Sequence, residues 1–139
     1  MDRVPLEYFR WFYDFDTAKA DPDEIAARWH EDLVIVQSPD MVGTEGTFHG
    51  YEGLARITEE ILESYEELTW HPEEVHDLGD ERYLILVVGK GRGRASGVWL
   101  EAKIGHLITL RDGRAARLDT YVGWEAALEA VGLARESGG

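Results

Sequence analysis

The sequence contains no cysteine, four prolines and two methionines in 139 residues. Without cysteine, the chain forms no disulfide, carries no thiol nucleophile and offers no thiolate to a metal. Basic residues are also scarce, since 14 Lys plus Arg accompany 28 Asp plus Glu and give a formal net charge of −14. This charge repels phosphate groups, so we expect neither nucleic acid nor an anionic membrane as a partner.

Long apolar runs are lacking too. No stretch approaches the length of a membrane span, and the start "MDRVPLEYFR" has no basic segment followed by an apolar one. We therefore expect a cytoplasmic protein. A length of 139 residues with 44% hydrophobic residues predicts a single domain over residues 1–139 with a core of ordinary size.

The stretch "VVGKGRGRASGV", residues 87–98, is rich in glycine but does not have the spacing of a phosphate-binding loop. Glycines and cationic residues alternate with a period of two, which places them on opposite faces of a strand. Three glycines on one face indicate that another group approaches the backbone there. We expect that face to look inward and the cationic face, with Lys90, Arg92 and Arg94, to form an outer rim or a dimer surface.

Helical patterns dominate the first half of the chain. The spacing of Leu6, Phe9, Phe12 and Tyr13 predicts a first helix over residues 5–19. The stretch "DPDE" predicts the start of a second helix that ends near residue 30, with Asp21 as N-cap, Pro22 in the first position and Glu24 as the capping-box carboxylate. After a short strand, "DLVIVQS", a third helix is predicted from its apolar face of Leu54, Ile57, Ile61, Leu62 and Tyr65.

Beyond residue 66 the apolar period changes to two, which indicates strands. We predict four of them, at about 67–77, 82–94, 97–110 and 114–122, followed by a short closing helix in "WEAALEAVGL". The resulting class is α+β, with three N-terminal helices on a bent antiparallel sheet.

The order of these motifs, "DPDEIAARWHEDLVI", "GTFHGYEGLARI", "LRDGR" and "YVGWEAALEAVGL", resembles the SnoaL-like branch of the nuclear transport factor 2 superfamily. The resemblance covers nearly the whole chain. It implies a cone-shaped fold that encloses a pocket, a homodimer, and a small hydrophobic molecule as ligand. Members include isomerases, cyclases and hydrolases that need no cofactor, and also proteins that only bind a ligand or a partner protein. The alternatives to an enzyme are therefore a binding module for a hydrophobic ligand and a dimeric scaffold.

The hairpin registers decide which side chains share that pocket. A short turn at Ala95-Ser96 would pair Arg92 with Trp99 and Lys90 with Glu101, which leaves the glycine face apolar. We expect Trp99 and Tyr121 on the outer face of the sheet, where they would form the dimer interface.

The last hairpin allows two registers. A two-residue turn at Asp112-Gly113 sets His106 opposite Asp119, whereas a three-residue loop sets it opposite Leu118 and turns Asp119 outward. Because Ala116, Leu118, Thr120 and Val122 make the better apolar face, we favour the three-residue loop.

The resemblance also implies site residues. His106 stands seven residues before Gly113, as the pocket histidine of the cyclases does relative to its turn glycine, and Thr120 stands where their acid–base aspartate would be. Compared with steroid isomerases, Ser38 aligns with the base, Asp40 lies two residues later, and Gly105 aligns with the second pocket acid.

From these positions we predict His106, Asp40 and Tyr13 as catalytic residues and Thr120, Leu118, His49 and Val122 as ligand-binding residues. A buried His106 should have a lowered pKa, because desolvation disfavours the cation. Each of these residues also has an ordinary role open to it: His106 as a core histidine, Asp40 as a turn residue, Tyr13 as an aromatic core residue and His49 at the start of a helix. The stretch "HPEEVH" contains metal-ligand types, but on a strand His71 and His76 point to opposite faces, so we expect no metal site and no cofactor.

Overall fold

The computed structural model of the chain describes residues 2–14, 19–40 and 46–133. A single turn of 3₁₀ helix, Leu6–Phe9, leads directly into the first α-helix. The remaining elements are, in chain order, β1 (Asp2–Val4), α1 (Arg10–Tyr13), α2 (Pro22–Arg28), β2 (Trp29–Gln37), β3 (Gly46–His49), α3 (Gly50–Ser64), β4 (Tyr65–Gly79), β5 (Arg82–Gly93), β6 (Trp99–Arg111), β7 (Arg114–Val122) and α4 (Trp124–Ala130).

The strands form one curved, unclosed sheet in the order β1-β4-β5-β6-β7-β2-β3. This confirms the α+β class, the four predicted strands and the cone-like arrangement. Every neighbouring pair is antiparallel except β2 and β7, which run parallel. The expectation of a purely antiparallel sheet is therefore wrong at this pair. Hairpin signals specify antiparallel neighbours only, whereas β2 and β7 are brought together from distant parts of the chain.

The predicted helices are present, with shorter bounds at the N-terminus. Helical residues of the first segment end at Tyr13, while residues 15–18 of the predicted helix lie outside the described residues. The start of α2 is as predicted, because the backbone N–H of Glu24 donates to Asp21 Oδ1 at 2.9 Å. No helix in the described part of the chain is long and apolar enough to cross a membrane.

The helices lie on both faces of the sheet. On the face that we call inner, Phe9, Leu54 and Ile57 from the N-terminal helices pack against the strands. Burial of each such Leu or Ile side chain contributes about 1.5–3 kcal/mol. On the outer face, α4 covers Leu84, Leu86 and Leu107. The inner face is thus enclosed by the N-terminal helices, and the outer face is partly covered by α4.

Glycine at position 105 permits α4 to pack closely. A side chain built there would meet the Cβ atom of Ala127 on α4. Two further contacts hold this helix: Trp124 Nε1 donates to the Val87 carbonyl at 2.9 Å, and Lys103 Nζ lies 4.7 Å from the centre of the Trp124 ring. The outer face near Gly105 is therefore a helix–sheet interface.

The hairpin of β5 and β6 has the predicted register. Arg92 pairs with Trp99 and Lys90 with Glu101, and the Arg92 guanidinium lies 5.7 Å from the centre of the Trp99 ring. The connection is longer than the predicted turn, since residues 94–98 join the two strands. Arg94 does more than line a rim, because it donates to the carbonyls of Leu62 and Tyr65 at the end of α3.

The glycine-rich face of β5 does look inward, as predicted, and aromatic rings occupy the space that it leaves. A side chain at Gly89 would collide with the ring of Trp70, and one at Gly91 with the ring of Tyr65. Both rings come from β4, the neighbouring strand. The glycines therefore make room for the aromatic side chains of β4 inside the cone.

In the hairpin of β6 and β7, the predicted three-residue loop is wrong, whereas the predicted inner position of Thr120 is correct. The turn has two residues, Asp112 and Gly113, with φ angles of 55° and 75°. Both residues have positive φ, as a type I′ turn requires. A β-bulge between Thr109 and Leu110 then shifts the register by one residue, so that His106 lies opposite Thr120. The bulge restores the inner position of Thr120 and leaves Asp119 on the outer face.

Candidate functional site

Three polar side chains are buried among the described residues, and they lie side by side on the inner face. Gln37, His106 and Thr120 are 6%, 5% and 4% exposed. His106 on β6 is paired with Thr120 on β7, and the parallel register of β7 with β2 brings Gln37 alongside Thr120. We call these three residues the polar row. Burying polar groups costs free energy unless they are hydrogen-bonded, so their concentration in one place marks a candidate site.

Aromatic rings surround His106 at one end of the polar row. The Tyr13 hydroxyl lies 2.8 Å from His106 Nδ1, and the two rings are nearly parallel with their centres 5.9 Å apart. Trp70 presents its ring at a steep angle, with a centre-to-centre distance of 5.0 Å. These contacts fix the plane of the imidazole and leave Nε2 without a hydrogen-bond partner among the described residues.

Burial determines the protonation of this pair. Desolvation lowers the pKa of His106 from 6.5 to about 4, in the direction that the sequence predicted. Burial also raises the pKa of the Tyr13 hydroxyl well above its ordinary value of 10.0. At neutral pH the site therefore holds a neutral imidazole and a neutral phenol.

The alternative partner of His106, Asp119, faces away from it. The Asp119 carboxylate accepts two hydrogen bonds from Arg117, at 2.9 and 3.0 Å, on the outer face. The histidine thus pairs with a tyrosine from α1 and not with the carboxylate of the next strand. This arrangement agrees with the predicted face and gives His106 a partner that strand register alone does not reveal.

At the other end of the polar row, Thr120 and Gln37 bind each other. Thr120 Oγ1 donates to Gln37 Oε1 at 2.6 Å and also lies 3.4 Å from the backbone N–H of Ser38. Sequence reasoning missed Gln37, although the pattern contains a signal for it. Leu33, Ile35 and Gln37 alternate along β2, so a polar residue occupies an inward position of an otherwise apolar strand face.

The other predicted catalytic residue, Asp40, is exposed, and its backbone N–H donates to Ser38 Oγ at 3.2 Å in a local turn. Gly105, aligned with a pocket acid by resemblance, lies on the outer face against Ala127. Asp40 thus follows the end of β2 outside the polar row, and Gly105 faces α4 on the side of the sheet opposite to His106.

The predicted ligand-binding residues divide between the interior and the surface. Leu118 is buried opposite Ile108, and Val122, opposite Ile104, is 37% exposed. His49 is exposed at the end of β3 and lines an open surface groove of about 410 Å³ together with Phe48, Glu52 and Arg56. Thr120 and Leu118 therefore lie at the polar row or beside it, Val122 lies further along the same strand face, and His49 lies at a surface groove.

The histidines of "HPEEVH" are engaged in local contacts. His71 Nε2 lies 2.9 Å from Thr69 Oγ1, and His76 Nε2 lies 3.1 Å from Glu74 Oε2. Within the described ranges, no group of three or more His, Asp or Glu side chains is arranged to hold a metal ion.

Comparison with known proteins identifies the family. Residues 9–118 match the SnoaL-like domain. The chain belongs to the SnoaL-like family. The match includes α1 to α3 and most of the sheet, and thus Tyr13, Gln37 and His106, but ends two residues before Thr120. Among curated proteins, none matches this SnoaL-like chain.

Solved structures share the SnoaL-like fold at low sequence identity. An NTF2-like protein from Burkholderia pseudomallei K96243 has a TM-score of 0.71 at 19% identity, over 94% of this chain and 97% of its own. A candidate SnoaL-like polyketide cyclase from Jannaschia sp. CCS1 has a TM-score of 0.69 at 17% identity, over 98% of this chain and 99% of its own. TerC, co-crystallised with polyporic acid, has a TM-score of 0.67 at 22% identity, over 89% and 92%. At these identities the likeness establishes the fold.

Proposed function

We propose that this SnoaL-like chain holds a small, mainly hydrophobic molecule against the polar row and acts on it by proton transfer without a cofactor. The observation that carries the proposal is the pairing of Tyr13 with His106 beside two further buried polar side chains. The relative TerC was crystallised with a small organic molecule, which supports a ligand of this class. Isomerisation, cyclisation and hydrolysis all require proton transfers that positioned side chains of this kind assist.

In this proposal His106 is the group that meets the substrate. Its Nε2 atom is the ring nitrogen left open by the bond to Tyr13. Tyr13 is the residue that orients the imidazole, and Thr120 with Gln37 forms a second polar contact for the ligand. Asp40 follows Ser38, whose N–H lies near the Thr120 hydroxyl, and we retain it as the candidate second acid–base group at the mouth of the site.

The second candidate function is binding without chemistry. Among the described residues no carboxylate is buried, and the acid positions of related enzymes are occupied by Ser38, Gly105 and Thr120. A neutral imidazole with a pKa of about 4 is also a weak base, because a general base works best when its pKa is near the operating pH. A binding module would need only the aromatic rings of Tyr13 and Trp70 and the polar row.

Deuterium exchange distinguishes these functions directly. We expect the wild-type chain to bind 2-tetralone, to show NMR shift changes at the polar row, and to accelerate exchange of the α-hydrogens of the ketone in D₂O. His106→Phe should lose the acceleration, whereas the control His71→Gln, at an exposed histidine on β4, should retain it. Binding without exchange would favour the binding module, and no binding at the row by 2-tetralone would contradict both functions.

We also propose that the chain forms a homodimer through the part of the outer face that α4 leaves open. Trp99 is 54% exposed there, beside the cationic side chains of Lys90 and Arg92. Tyr121, the other residue predicted for this interface, is partly covered because it packs with α4. Exposed aromatic residues and arginine are enriched in protein interfaces. A scaffold role would require this interface but not the polar row.

A further inference from the structure

The hydrogen bond between Tyr13 and His106 has two possible directions, and they leave different atoms unsatisfied. The two heavy atoms are 2.8 Å apart, so one proton lies between them. Either the Tyr13 hydroxyl donates to Nδ1 and the ring proton sits on Nε2, or Nδ1–H donates to the phenol oxygen and Nε2 carries a lone pair.

Counting donors decides between these arrangements. Tyr13 has no other hydrogen-bond partner among the described residues, and neither has His106. If Nδ1–H were the donor, the hydroxyl proton of Tyr13 would lack an acceptor and Nε2 would lack a donor. If the hydroxyl donates, a single group, Nε2–H, remains open. Since each polar group left without a partner in a largely apolar site costs free energy, the arrangement in which the Tyr13 hydroxyl donates to Nδ1 is favoured.

The surroundings of the open Nε2–H restrict the chemistry of a ligand. Among the described residues no charged side chain is buried, so nothing within the core would balance the charge of a ligand. Tyr13 and Trp70 provide apolar ring surfaces beside the imidazole. A flat molecule with an exposed acceptor oxygen would complement both the aromatic rings and the N–H donor.

We propose that Tyr13 fixes His106 in the Nε2–H tautomer, and that this N–H donates to the carbonyl oxygen of a neutral, planar ligand. The inference rests on the proposed function for the location of the ligand, whereas the tautomer does not depend on it. His106 then acts by polarising a carbonyl group, and Tyr13 is a positioning residue that acts through His106. A pKa of His106 well below neutrality supports this role, because the ring stays neutral in the working range.

The tautomer is tested without a ligand. In ¹⁵N NMR spectra at neutral pH, we expect His106 Nε2 to show the signal of a protonated ring nitrogen and Nδ1 that of an unprotonated one. Tyr13→Phe keeps an aromatic ring at the position but removes the hydroxyl, so the two tautomers should mix. A protonated Nδ1 in the wild type, or an unchanged pure tautomer in Tyr13→Phe, would overturn the assignment.

The donor role is tested with three probes of similar size: 2-tetralone, tetralin and 2-naphthoate. Loss of one neutral hydrogen bond weakens binding by roughly three- to tenfold. We therefore expect His106→Phe to weaken 2-tetralone by about that factor and tetralin by less than about twofold, and we expect 2-naphthoate to bind the wild type least. Equal losses for 2-tetralone and tetralin would overturn the donor role, and tight binding of 2-naphthoate would overturn the requirement for neutrality.

The possible outcomes distinguish the donor role of His106 from the proposed function. If the probes bind at the polar row but the tautomer or the donor role is wrong, the further inference fails, whereas the proposed function is decided separately by the deuterium exchange of 2-tetralone. If none of the three probes binds there, the proposed function fails and the ligand part of the inference fails with it.

Discussion

The two faces of β7 show opposite ways of keeping polar groups in a sheet. Asp119 and Thr120 are adjacent in the sequence but lie on different faces. On the outer face, Asp119 binds Arg117, whose side chain is 52% exposed. On the inner face, Thr120 binds the buried amide of Gln37. On this strand the charged group is paired on the face that water reaches, and the buried group is neutral and makes its hydrogen bond within the protein.

The inner position beside His106 is taken by Thr120 and not by Asp119. A carboxylate at position 120 would meet the enclosed, uncharged surroundings of His106, whereas at position 119 it is paired and partly solvated. The bulge in the β6–β7 hairpin decides which residue takes the inner position. The site is therefore neutral because of a register shift of one residue and not because the strand lacks an acid.

The largest expected effect is a pH dependence of the free energy of unfolding, caused by His106 on the inner face. The pKa of His106 falls from 6.5 in the unfolded chain to about 4 in the folded one. Its contribution to the free energy of unfolding is therefore fully present above pH 6.5 and is lost as the pH falls towards 4, because only the unfolded form takes up the proton. The loss amounts to about 3 kcal/mol.

Urea unfolding of the wild type and of His106→Phe across this pH range measures the effect. The wild type should lose about 3 kcal/mol more than the variant. His71→Gln, which removes an exposed histidine, should follow the wild type. Parallel pH curves for the wild type and His106→Phe would show that the imidazole is not desolvated.

The next effect concerns the outer face, where Gly105 meets α4. Gly105→Val would place methyl groups against Ala127, and overpacking of this kind costs about 1–3 kcal/mol. Adding Ala127→Gly should recover part of the loss, because it removes the atom that is struck. If the double variant is no more stable than Gly105→Val in denaturant unfolding, the close contact between β6 and α4 is not the cause.

A matched pair of substitutions compares the two faces of β7. Thr120→Val removes the hydrogen bond to the buried Gln37 and should cost about 1–3 kcal/mol. Asp119→Asn weakens an ion pair whose arginine is half exposed and should cost less than about 1 kcal/mol. Thr120→Ser keeps the hydroxyl and is the control for the inner position. An Asp119→Asn variant that unfolds more easily than Thr120→Val would reverse the comparison.

The smallest effect on the fold is expected at Trp99. In light scattering at micromolar concentration, the wild type should have twice the mass of the monomer. Trp99→Ser should shift the protein towards the monomer and leave its far-ultraviolet circular dichroism unchanged. Tyr8→Ser, at another exposed aromatic residue, should remain dimeric. A monomeric wild type would contradict the proposed interface.

Local patterns predicted most of the sheet. Alternation of residue types gave the register of β5 with β6, and the apolar pattern of β7 correctly placed Thr120 inside and Asp119 outside. The predicted three-residue loop between β6 and β7 was wrong. In a regular hairpin the loop length determines which residues of β7 face inward, so the inward position of Thr120 implied three residues. A bulge separates loop length from face: it allows the Asp-Gly turn that the dipeptide favours and the face that the apolar residues favour.

Contacts between distant segments could not be predicted in the same way. The bond between Tyr13 and His106 depends on how α1 crosses the sheet, and no spacing within either segment specifies that position. Gln37 joins Thr120 because β2 and β7 are parallel, a pairing without a hairpin signal. The short strands β1 and β3 also lie at sheet edges, where three or four residues give little alternation to recognise.

The contact between Trp70 and His106 should make the protonation of His106 visible in tryptophan fluorescence. Their rings are 5.0 Å apart, which is close enough for the imidazole to affect the fluorescence of the indole. A protonated imidazole accepts an electron from an excited indole more readily than a neutral one, so protonation of His106 should quench the emission of Trp70. The chain has five tryptophans, and the difference between the wild type and Trp70→Phe isolates this signal. The ionisation of His106 is therefore accessible to a spectroscopic titration that needs no added label.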